Sequence, residues 1–143
     1  MKNRLLIALT ALALSASSAF CADEPKTELG EKMTAISTAF RAIGRQAADA
    51  TKNADTLAKI ASMKTALEAS SHLKPATTAD KPAAEQAAYV AKFQSEIKAM
   101  IALVGKLEEA IKGGHNDAAA KIIDEVKAEQ SKDHKEFRKQ AAK

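Results

Sequence analysis

The sequence predicts an all-α protein, an antiparallel up-down-up-down four-helix bundle, and three observations carry that expectation. Of its 143 residues 46% are apolar, yet only 3% are aromatic, and Ala, Lys, Glu and Leu outweigh the β-branched types, a helix-forming composition that argues against sandwiches and barrels. Three prolines and five glycines leave little material for a loop-rich chain. Apolar residues recur at alternating spacings of three and four, the signature of helices that bury one stripe.

Residues 1–21 read as an export signal. Lys2 and Arg4 form a positive start, Leu5 to Leu14 is an apolar run, and small residues follow from Ser15 to Ala19. The run is about half of the ~20 apolar residues a membrane span needs, so no permanent anchor is expected. Cleavage after Cys21 fits best and cleavage after Ala19 is the second choice, while bulky Phe20 weakens a lipoprotein reading of Cys21. Two of the 22 basic residues lie in this leader, which leaves 20 against 18 acidic ones and a net charge of +2. Such a balance gives no nucleic-acid footprint. Cys21 is also the single cysteine, so the exported chain, residues 22–143, must hold its fold without a disulfide. Cysteine-based zinc sites and thiol nucleophiles are excluded with it.

The first helix is expected over Thr27 to Ala48, with Thr27 as N-cap and Leu29, Met33, Ile36, Phe40, Ile43 and Ala47 on its seam. The second spans about Ala54 to His72, with Asn53 as candidate N-cap and Leu57, Ile60, Met63 and Leu67 facing inward. Lys74-Pro75 to Lys81-Pro82 reads as a loop fenced by prolines, long enough that an overhand crossover remains an alternative topology. The third helix, Ala83 to Lys112, carries Tyr89, Phe93, Ile97, Met100, Val104, Leu107 and Ile111, and Gly113-Gly114 ends it. The fourth starts near Asn116 and runs almost to the C-terminus, with Ala119, Ile123, Val126, Gln130, His134 and Phe137 as its stripe.

No motif for an enzyme is visible. There is no nucleophile elbow, no glycine-rich phosphate cradle and no paired-histidine zinc motif, and Glu108-Glu109 point to different parts of a solvated face. His115 reads as a solvated loop residue and His72 as a group at a helix end. His134 is the odd residue, since it stands on an apolar stripe. A lone histidine there is more often a satisfied core residue, and a seam methionine such as Met33, Met63 or Met100 is usually core filler. Height along the bundle separates Met33 from the other two. It lies about 9 Å inside the first helix and His134 about 12 Å from the end of the fourth, which an up-down bundle places at the same end. Thioether plus imidazole is the axial pair of electron-transfer haems. Tyr89 and Phe93 are expected in the apolar wall of that end.

Three stretches resemble the cytochrome b562 family, whose name-giving protein is itself a standard example of the up-down-up-down bundle. They are Ala22-Asp23 with Glu31-Lys32-Met33; Leu103 to Ile111 with its mid-helix Gly105; and His134-Lys135-Glu136-Phe137-Arg138. The last is the most specific. The resemblance implies one noncovalent haem b per chain, Met33 and His134 as axial ligands of the iron, Arg138 near a propionate, and electron transfer rather than enzymatic catalysis. It further implies a monomer in the periplasm serving a redox partner. Asp133 and Gln130 depart from the family pattern beside the haem edge. No Cys-x-x-Cys-His is present, which excludes a covalent c-type link. The competing expectation from a different class is a haem-free periplasmic bundle acting as a binding or stress-related module.

Overall fold

The computed structural model describes residues 27–138, which form four α-helices and no strand, an arrangement consistent with a four-helix bundle. The leader, its cleavage site and Cys21 lie outside the described residues. Helix α1 spans Glu28–Gln46, α2 Asn53–Ser70, α3 Ala83–Lys112 and α4 Asn116–Phe137.

Thr27 caps α1 as expected, its side chain accepting the Gly30 N–H at 3.1 Å, with Glu28 and Glu31 placed favourably in the first turn. α1 stops two residues short of the expected end, and a 3-10 turn, Ala50–Lys52, leads into α2. Asn53 does not cap α2 but begins it. Its side-chain amide instead donates to the Ile111 carbonyl at 3.2 Å, 58 residues away. The proline-fenced segment is not irregular, because Ala76–Asp80 forms a second 3-10 turn, and Pro75 and Thr78 are buried. α3 matches its expected bounds. Gly114, at φ 71°, takes the left-handed conformation that lets the chain reverse, and its neighbour His115 is exposed. α4 is shorter than expected: Arg138 is already extended, so His134 stands one turn from the helix end.

Each helix packs closely on its sequence neighbour, whereas α1 and α4 have no comparable packing. The core is continuous and apolar. Ile43, Ile60, Val104, Leu107 and Ala119 are wholly buried in it. At one end Asn116 donates to the Ala47 carbonyl and, at 2.9 Å, to Asn53 Oδ1, so three side-chain amide contacts join the ends of α1 and α3 to the starts of α2 and α4. At the other end Tyr89 near the start of α3 reaches the Glu136 carbonyl at the end of α4. Among the described residues no helix is long and apolar enough to cross a membrane.

Candidate functional site

Because α1 and α4 stay apart, a cavity of about 480 Å³ opens between them, within the ~300–1,000 Å³ usual for cofactor pockets. Its floor is the apolar stripe read from the sequence, including Ile36, Leu67, Phe93, Ile97 and Val126. Met33 lines it from α1 and His134 from α4, and Arg138 lies at the same mouth. Met63 and Met100 also line it, and both are buried, so they behave as floor rather than rim. By contrast, His72 and His115 are exposed and do not line the cavity.

Met33 lies five residues into α1, about 8 Å along the axis, and His134 three residues from the end of α4, about 5 Å. The two heights differ by about 3 Å, as their expected positions in longer helices did. The core-histidine expectation does not hold. His134 is exposed at the rim, and no hydrogen bond engages its ring among the described residues. Partial withdrawal of the ring from water, then the positive Arg138, hold its pKa below the usual histidine value. The shift favours the neutral imidazole, the form that binds a metal.

Tyr89 corrects a second expectation. It is half-buried but does not line the cavity; Phe93 alone of the two does. The Tyr89 ring packs against Phe137 at 5.2 Å between centroids, and Phe93 meets the same ring edge-on at 5.3 Å. The hydroxyl of Tyr89 dictates this position, since a half-buried phenol needs a partner and finds the Glu136 carbonyl at 2.9 Å.

Asp133 beside the histidine shapes the electrostatics. Burial, followed by the charges of Glu96, Glu129 and Glu136, pushes its carboxyl up to about 6, with Lys132 acting in the opposite sense. One of its oxygens is buried without a hydrogen-bond partner. The carboxylates of Glu96, Glu129 and Asp133 lie within 4.8 Å of one another, and the Lys132 ammonium bridges Glu129 at 3.0 Å and Glu96 at 3.4 Å. The residue type at 133 was noticed in the sequence, but Glu96 belongs to α3 and only folding brings it alongside.

The residues present fit a flat, largely apolar cofactor with a central metal. The walls are apolar, one soft sulfur and one uncommitted imidazole nitrogen flank the gap, and a basic side chain stands at its mouth. A helical scaffold that keeps its first and last helices apart around such side chains defines a class, a four-helix bundle with a lined interior cavity. A sequence model of the family described as cytochrome b562 matches residues 28–138, most of the chain, and the protein belongs to that family. The family is one of haem-binding electron carriers rather than enzymes. Comparison with curated proteins and with solved structures gave no match.

Proposed function

We propose that the protein is a periplasmic electron carrier that holds one haem b noncovalently between Met33 and His134. The observation that carries this reading is the placement of that sulfur and that imidazole on the two helices flanking one apolar cavity. The contacts of Asn116 with Ala47, of Asn53 with Ile111 and of Tyr89 with Glu136 support the up-down-up-down order the reading needs.

When bound, the haem supplies a one-electron couple, and thioether ligation favours its reduced state. The chain's own contribution is to hold and to insulate. Phe93, Ile97 and Val126 exclude water from the site, the lowered pKa of His134 favours a nitrogen free to bind, and Arg138 at the mouth meets an acidic edge group. The exported, disulfide-free monomer passes its electron to a periplasmic redox partner at the open side of the cavity.

Visible spectra of the purified protein, oxidised and then reduced with dithionite, test the reading. Low-spin bands at one haem per chain are expected. His134→Ala weakens haem retention severely. Met33→Ala keeps haem, turns the iron five-coordinate or water-ligated and lowers the reduction potential. His72→Ala and His115→Ala match the parent. Loss of the low-spin bands in either control while His134→Ala keeps them overturns the ligand assignment. A parent that never takes up stoichiometric haem leaves the haem-free bundle as the function.

A further inference from the structure

The last turn of α4, which carries His134, ends in carbonyls that no further helical N–H can reach. Two of them are met by hydroxyls from elsewhere in the fold. Tyr89 of α3 donates to the Glu136 carbonyl at 2.9 Å, and Thr77 of the 3-10 turn Ala76–Asp80 donates to the Phe137 carbonyl at 2.9 Å. The two hydroxyl oxygens are themselves 2.9 Å apart. Two hydrogens serve three contacts, so two of them are donated at any instant and the pair shares them as one unit. Between Tyr89 and Phe93 the Phe137 ring is gripped as well, while Arg138 N–H closes onto the His134 carbonyl at 3.2 Å.

The grip is placed where the site needs it. Pro75, Ala76 and Thr77 line the same cavity as His134 and Phe137, so the strap that supplies one hydroxyl also walls the pocket. By contrast, the His134 ring has no hydrogen-bonded neighbour to orient it among the described residues. Its direction is inherited from the backbone of the turn that bears it.

We propose that Tyr89 and Thr77 are positioning residues for the His134 imidazole, acting through the two terminal carbonyls of α4. This rests on His134 as an iron ligand and adds what keeps that ligand aimed. Removing either hydroxyl lets the last turn fray and the ring wander, whereas the rest of the bundle is held by contacts that neither residue makes.

The test uses the haem-loaded full chain with Tyr89→Phe and Thr77→Val, and Thr77→Ser as the conservative rescue. Haem transfer to excess apomyoglobin and the ferric low-spin electron paramagnetic resonance signal are read in each. Each hydroxyl deletion is expected to speed haem loss roughly five- to tenfold, the size of one net hydrogen bond. It is also expected to broaden the low-spin signal, and Thr77→Ser should restore both. Asn116→Ala, at the far end, controls for stability lost without touching the grip. If it sheds haem as fast as Tyr89→Phe at a matched loss of unfolding midpoint, positioning is overturned. Parent-like signals and release rates in both deletions overturn it too. Those outcomes stay distinct from failure of the ligand reading itself, in which His134→Ala retains the parent's low-spin haem.

Discussion

The two ends of the bundle solve the same packing problem with opposite results. At the end where α1 leaves and α4 begins, Ile43, Leu107, Ile111 and Ala119 are sealed from water, and Asn53 and Asn116 stitch the helix ends by their side-chain amides. At the other end the same stripes run out into partly covered residues. Leu29, Met33 and Gln130 are half-buried and His134 is exposed, although each continues the register of the core below it. The heptad pattern alone does not close a bundle. Closure follows where the stripe residues are aliphatic and the caps are shared; a cavity follows where the stripe turns to sulfur, amide and imidazole.

Filling the cavity should do most to make the open end behave like the sealed one. Saturating haem should raise stability by mass action, about 4 kcal/mol at a thousandfold excess over Kd, and amides near Met33 and His134 should gain hydrogen-exchange protection. Amides around Ile43 and Ile111 should change least. Equal melting temperatures with and without haem count against a specific site.

Asn116→Ala attacks the sealed end. It strips the Ala47 carbonyl of its partner inside a buried turn and should cost about 1–3 kcal/mol in urea unfolding, with the haem spectrum unchanged. A large spectral change would mean that the two ends are coupled.

Asp133→Asn sharpens the contrast from the open end, measured on the haem-free chain. The folded carboxyl holds its proton up to about 6 against an ordinary 3.8, so Asp133 favours folding below about pH 4 and that advantage is lost as pH rises through about 6. The variant should therefore be more stable than the parent at neutral pH, on the order of 1 kcal/mol after solvent screening, and match it near pH 4. A constant difference at both pH values removes the charge as its cause.

The smallest effect is expected at Glu108, which joins Lys64 of α2 at 2.6 Å and Lys112 at 2.7 Å. The hydrogen bonds from Lys112 and then Lys64 hold its carboxyl below the ordinary value of 4.5. Its contribution is present above that value and lost as pH falls through the lowered one. Glu108→Gln should cost about 0.5 kcal/mol or less at neutral pH and nothing in strong acid.

Periodicity made the long elements legible. The seven stripe residues of α3 and the glycine pair after it place that helix and its end correctly, because its burial is set by one repeating face. The same reading misplaced Asn53 and Tyr89, and for one reason: their polar atoms answer to carbonyls 58 and 47 residues away, which no local window contains. That Met33 and His134 belong to one end was legible from their heights, and both line the cavity there. What stayed hidden was the exposure of the histidine, since a seam position reads as buried unless the neighbouring helix is known to stand off.

That stand-off leaves the first helix and the last unjoined across the cavity. A ligand bridging Met33 and His134 would tie the chain into a ring of about 100 residues, in a protein whose single cysteine permits no internal covalent tie. In the chain-entropy view a loop of that length, once fixed, is worth about 4–5 kcal/mol against the unfolded ensemble, a model-dependent figure. The cofactor would then be the molecule's clasp, fastened only after α1 and α4 have found their places.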